Sequence, residues 1–427
     1  MKKIKLNLVW SMIAIVSCMV PAPLFATASD NLQTQFDAAM QALEANHLNT
    51  ARRLFNALLA DDPTLHRARL ELARANYLAA DFAGARAQAE KVLENPDLPP
   101  QVRTTVLAFL AQIRKDEAQF SQRHHWVPSI YFGTMYDTNV NFGVDRDIID
   151  INGLPFQVAP GSKPLKDWAA VVDGAIAHTY NPGKRFESGE QTGFFVWQSQ
   201  ASAYYRGYFN ESDFSLGVAT LRTGPTWFVP NKWRAGIALQ GDQIWLGGDN
   251  LGFYTSLNPN ATWQFGSDTE LTVEGMFAYR DYNRSIDVGR DGWYQWGGVR
   301  IGRYFNARKW GLQAGAGYFH FGADDDRFTN RGPDLFVGVV ADLWTNGSVY
   351  ARAGYRNYDF KGNEPGFNRS RDDDEYRFIA GLRHSFDRGP LRDWTLLGDW
   401  TYTDNRTNVD LYEFDRHQLN LGLSRSF

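Results

Sequence analysis

The chain has 427 residues, a formal net charge of −4 and a single cysteine. That charge gives no electrostatic ground for binding nucleic acid, and one cysteine excludes a scaffold built on disulfides. The sequence is 44% hydrophobic and 15% aromatic, yet beyond its first residues no apolar run reaches the roughly 20 needed for a spanning helix.

The N-terminus reads as a secretory leader. Lys2, Lys3 and Lys5 precede an apolar run from Leu8 to Val20, and "ATAS" at Ala26 to Ser29 offers a small-residue cleavage site. Residues 1–28 would then be removed and Cys18 lost with them. The alternative is lipidation of Cys18 in "IVSC".

Residues 29–119 read as a helical domain, dense in alanine and other helix formers. The segment repeats: "HLNTARRLFNALLADDP" is answered by "DFAGARAQAEKVLENPD", with Leu48, Ala51 and Leu59 matching Phe82, Ala85 and Leu93, each 34 positions on. This is the tetratricopeptide period. A third element, "PPQVRTTVLAFLAQI", starts on prolines, and its stripe of Val102, Val106, Phe109, Leu110 and Ile113 would cover the open apolar face. The segment 120–125 is a short linker, which would hold the helices near the barrel mouth.

From Trp126 to Phe427 the period changes to two. "ELTVEGMFAYRDY" sets Leu271, Val273, Phe277 and Tyr279 against Thr272, Glu274 and Arg280; "SVYARAGYR" and "EYRFIAGLRHSF" alternate in the same way. Strands of about 9–11 residues cross a tilted bilayer. Short connections such as "PNK", "GSDT", "NARK" and "TNGS" alternate with long ones such as "KGNEPGFNRSRDDDE". Trp227, Trp233, Trp263, Trp310, Trp344 and Trp394 lie near the short turns, as in an aromatic girdle. The expected fold is an N-terminal tetratricopeptide-like helical domain followed by an antiparallel outer-membrane β-barrel of about 14 strands.

The polar faces carry charge that a barrel would turn inward: Arg234, Asp242, Glu274, Arg280, Arg300, Asp342, Arg352, Arg356, Arg377 and Arg383. These line a conduit or fill the barrel with ion pairs. The first outer loop, Thr138 to about Lys166, is long enough for a lid or plug. No catalytic set emerges: the eight histidines are scattered. The acidic runs Asp324–Asp326 and Asp372–Asp374, placed in outer loops, lack the alternation and glycine turn of a calcium loop. Neither an enzyme activity nor a metal or cofactor is expected.

The chain ends on "HQLNLGLSRSF", a strand with one apolar and one polar side that must pair with the first strand to remove the free edges. Its Asn420, Gly422 and Phe427 resemble the signal read by the outer-membrane barrel assembly machinery; Arg425 departs from it. The helical repeats, the stretch "WVPSIYFGTMYDTNVNFG" and above all "YDTNVN" at Tyr136 to Asn141 resemble the surface lipoprotein assembly modulators, the outer-membrane proteins of the type eleven secretion system. The resemblance implies a fourteen-stranded protein of the outer membrane, with its helical domain in the periplasm. It would help a specific lipoprotein or secreted protein cross, often one that captures iron or haem or serves host colonisation. Two rivals are a tetratricopeptide–barrel exporter of exopolysaccharide and a passive porin.

Overall fold

A computed structural model describes residues 28–427 apart from residue 97; the leader reading falls almost wholly outside the described residues. The chain divides into two compact units. One ends at Arg123 and also takes in Asn181–Phe195; the other comprises His124–Tyr180 and Val196–Phe427. No period in the sequence marks segment 181–195 as part of the first unit. The chain therefore passes between the units three times rather than once.

Among the described residues the first unit holds five helices: α1 Ala28–Glu44, α2 Leu48–Asp61, α3 His66–Leu78, α4 Phe82–Leu93 and α5 Pro100–Phe120. The starts of α2 and α4, and of α3 and α5, are each 34 positions apart. Equivalent positions do equivalent work. Ala51 and Ala85 are fully buried, as are Phe55 and Ala89, and Leu58 and Val92; the alanines let helix backbones approach closely. Two apolar cores result. One joins Phe36, Leu43, Phe55, Leu58 and Leu72; the other joins Phe82, Val92, Val106, Leu110 and Ile113, so the α5 stripe packs as its spacing predicts. Asp81 caps α4 by accepting a hydrogen bond from the Gly84 N–H at 3.1 Å.

The strands begin with β1 His124–Asp137, β2 Ile148–Ile151, β3 Leu154–Gln157, β4 Asp167–Tyr180, β5 Arg185–Ser188, β6 Gln191–Tyr208, β7 Leu216–Val229, β8 Trp233–Leu246 and β9 Asp249–Phe265; β5 and the start of β6, up to Phe195, belong to the first unit and the rest to the second. Then follow β10 Thr269–Tyr282, β11 Gly292–Phe305, β12 Trp310–Ala323, β13 Asn330–Trp344, β14 Gly347–Glu364, β15 Arg369–Ser385, β16 Trp394–Thr407 and β17 Phe414–Ser426. Leaving aside the short β2, β3 and β5, fourteen strands form one antiparallel sheet; β1 lies between β4 and β17, and β4 also pairs with β6, so the sheet closes. Closure satisfies every edge, the condition for strands in lipid. The closing register runs from Ser129 opposite Ser426 to Asp137 opposite Gln418, and the Phe427 N–H donates to the Pro128 carbonyl at 2.9 Å.

The alternation has the expected sense. Leu419, Leu421, Val337, Val339, Phe378 and Ile301 are exposed on the outer face, while Asn258, Thr262, Thr272 and Thr403 are buried on the other. The six expected tryptophans stand at strand ends beside the short turns. A second set, Trp168, Trp245 and Trp293, lies exposed near the opposite strand ends, giving the barrel two aromatic belts.

Three expectations about the strands change. The first strand starts at His124, so the linker is shorter than 120–125. The acidic run Asp372–Asp374 lies within β15, not in a loop: Asn357 pairs with Asp374 and Asp359 with Asp372. Polar residues keep the strand ladder going where no apolar alternation marks it. The connection between β14 and β15 shrinks to residues 365–368, and the β8–β9 connection at the same end is only 247–248, so connection length does not separate the two ends as cleanly as expected.

Candidate functional site

The sequence-predicted charges lie on the inner face, opposite the exposed apolar residues, and they are only partly paired. Arg234 is 3.6 Å from Glu270, and Arg300 is 3.8 Å from Glu274. Arg377 bonds Glu375 at 2.9 Å, its neighbour on the same face of β15, and Arg356 bonds Asp334. Asp242 accepts hydrogen bonds from the Thr220 hydroxyl at 2.6 Å and the Gln240 amide at 2.8 Å. Two arginines stack on rings instead. Arg352 lies 3.8 Å from the Phe336 centroid, and Arg280 lies 4.2 Å from that of Tyr294. Arg383 has no carboxylate within ion-pair range among the described residues. The interior is a mixture: some arginines are held in ion pairs, and others stack on rings.

Where the first and last strands meet, the sequence reading missed a buried cluster. Asp137 is fully buried and accepts from Arg416 Nε at 2.9 Å and from the Tyr208 hydroxyl at 2.6 Å. Gln418 donates to the same carboxylate at 3.1 Å. An ion pair so deeply buried is stable only when its remaining lone pairs are met, and here Tyr208 and Gln418 meet them. Below it, Tyr131 packs its ring over Gly422: a Cβ there would lie 2.5 Å from that ring. Gly422 thus has a packing reason within the closing seam. Asn420 donates to Asp399 at 2.9 Å, and Phe427 is exposed.

The stretch "YDTNVN" has a local reason as well. Asn139 donates to the carbonyls of Gly143 (2.8 Å) and Asp415 (3.0 Å) and accepts from the Gly143 N–H at 2.7 Å. Asn141 donates to the Lys163 carbonyl at 2.9 Å and accepts from the Leu165 N–H at 3.0 Å. These amides stand in for a strand partner and pin both ends of the first long loop, between β1 and β4. The loop then packs its own small core: Val144, Ile149 and Val158 meet Phe367 from the β14–β15 tip and Val409 beyond β16. Arg146 pairs with Asp410 and Glu413. The loop is thus anchored at the β14–β15 turn and the β16–β17 connection. Its hairpin leaves Ile148, Leu154 and Phe156 exposed.

In the helical unit, segment 181–195 is held by specific bonds. The Glu190 carboxylate accepts from the Thr50 N–H at 2.9 Å and its hydroxyl at 3.1 Å. The Asn49 amide donates to the Gly189 carbonyl at 3.0 Å, and Arg185 lies 3.8 Å from Asp81. His47, the residue before α2, makes no side-chain cap, so Glu190 supplies the anion that a helix N-terminus favours. The N–H and hydroxyl of Thr50 hold its carboxyl below the usual glutamate range.

No family model matches the chain, and no curated protein matches it. Solved structures similar in barrel form include Pseudomonas aeruginosa OprD, 11% identical, covering 71% of this chain and 95% of that one with a TM-score of 0.37. An outer membrane channel from Pseudomonas putida F1 is 11% identical over 72% of this chain and 98% of its own, with a TM-score of 0.38. An anion-selective porin from Comamonas acidovorans is 9% identical over 71% and 99%, with a TM-score of 0.40.

Proposed function

We propose that this chain is an outer-membrane translocon of the surface lipoprotein assembly modulator type, with its helical unit in the periplasm as the docking site for a lipoprotein or secreted client. The observation that carries this reading is the composition of the helical unit. Its 34-residue repeat is joined to the barrel sequence on both sides of Asn181–Phe195 as well as at Arg123, and Glu190 caps α2 from within that segment. A passive pore has no use for a helical module secured in this way. A repeat stack offers a surface for an extended chain, and a client held on a short tether is concentrated to the order of millimolar. Passage would draw on client folding outside or on handover from other factors. The partners are the client, the lipids around the apolar belt and the assembly machinery that reads Asn420, Gly422 and Phe427.

One observation favours a passive porin as the second reading: the inward arginines that lack a carboxylate partner, Arg280 and Arg352 among them, suit a pore for small anions. The test expresses the full chain, and a form lacking residues 30–119, beside a candidate client, a lipoprotein or secreted protein from a neighbouring gene. Segment 181–195 in the shortened form is replaced by a plain turn, because its docking surface is gone. The client reaches the cell surface only with the full chain if the proposal holds. Equal export by both forms, or passage of small solutes with no effect on any protein, overturns it.

A further inference from the structure

The half of the barrel next to the short turns contains an inner-wall recess of about 370 Å³. Arg234, Arg300 and Arg352 line it, together with Glu270, Tyr304 and Gln313. Glycine makes the space. Gly302 and Gly338 belong to the lining; a Cβ at Gly302 would meet only the Leu312 carbonyl, at 3.8 Å. Any larger side chain there would project into the recess and fill it.

The charge around the recess is unbalanced. Glu270 is the one carboxylate in the lining, and it faces Arg234 at 3.6 Å, while Glu274 adjoins Arg300 at 3.8 Å. Both distances exceed a hydrogen bond. Among the described residues none of the three guanidinium groups donates a hydrogen bond to another protein group. Arg352 is instead oriented by the Phe336 ring beneath it. A guanidinium fork matches the paired oxygens of a carboxylate or phosphate, and a low-dielectric wall strengthens that attraction. We propose that the recess is a binding subsite for a small multivalent oxyanion, a di- or tricarboxylate or a phosphate, held between Arg234, Arg300 and Arg352. This is independent of the client reading, since a translocon or a porin could carry such a site.

The test titrates the purified full chain, folded in detergent and checked by heat-modifiability, with citrate and separately with inorganic pyrophosphate by calorimetry at low salt. At least one anion binds with one-to-one stoichiometry. Arg352→Ala weakens it at least about tenfold, equivalent to about 1.4 kcal/mol, whereas Arg388→Ala, in the exposed 386–393 connection, leaves it unchanged. Gly302→Val retains every charge but fills the recess, and it weakens binding even if the arginine variant fails to fold. Binding of citrate alone assigns a carboxylate site, and of pyrophosphate alone a phosphate site. No binding of either anion to the folded protein, or undiminished affinity in Gly302→Val, overturns the proposal.

Discussion

Phe55 in α2 and Phe378 in β15 are the same side chain in opposite settings. Phe55 is 0% exposed and Phe378 is 44% exposed. In the helical unit apolar side chains hide from water, and Arg52 and Asp81 stay at the surface as a 2.9 Å ion pair. In the barrel apolar side chains such as Phe378 and Leu419 face outward, while Asp137 and Arg416 are buried. The same hydrophobic effect drives both arrangements, because the barrel's outer solvent is lipid. Burial therefore measures different things in the two units, and the consequences of substitution should invert between them.

The largest expected effect is the simplest inversion. Phe55→Ala leaves a cavity in a dry core and costs about 3–5 kcal/mol, enough to unfold a small helical unit while the barrel stays heat-modifiable. Phe378→Ala should do little, since lipid fills the gap, but Phe378→Arg near mid-bilayer depth costs about 2–4 kcal/mol. Urea unfolding of the reconstituted barrel, with circular dichroism at the helical band for α2, measures both. Equal effects of the two alanine substitutions would break the comparison.

A second inversion concerns charge. Asp137→Ala strands the buried Arg416 and should cost about 3–5 kcal/mol, read as loss of heat-modifiable barrel. Arg52→Ala, on the half-exposed Asp81 pair, should cost about 1 kcal/mol or less. A seam that tolerates Asp137→Ala without loss would show that the cluster does not lock closure.

The smallest effect is at Glu190. Its carboxyl is held low by Thr50, so its contribution to docking of 181–195 is present above the ordinary glutamate value of about 4.3. That contribution is lost as pH falls through the lower value of the docked state. Exchange protection of the Thr50 amide, corrected for intrinsic rate, should fall in that acid window. Glu190→Gln should remove the pH dependence.

Legibility followed the strength of local period. The 34-residue spacing of Leu48 and Phe82, the stripe on α5 and the fourteen strands were all readable, because each rests on a repeating apolar pattern. The inner faces of Arg234, Arg300 and Arg352 followed from the same alternation. What stayed hidden depends on long-range pairing. Asp137 and Arg416 are 279 positions apart, and Glu190 lies 140 positions from Thr50; no local pattern joins them. Asp372, Asp373 and Asp374 read as a solvated run, yet cross-strand partners on β14 extend the ladder through them. Asp373 is accordingly buried.

On the proposed function the helical unit receives the client, while the barrel's outer face meets lipid. Leu107 on α5 and Leu419 on β17 are both exposed apolar residues, at 52% in each case. A photo-crosslinking side chain placed at either position, in cells exporting the client, measures the claim directly. The account predicts a client adduct from position 107 and none from position 419. Sustained export with no adduct at 107, or an adduct at both positions, would contradict it.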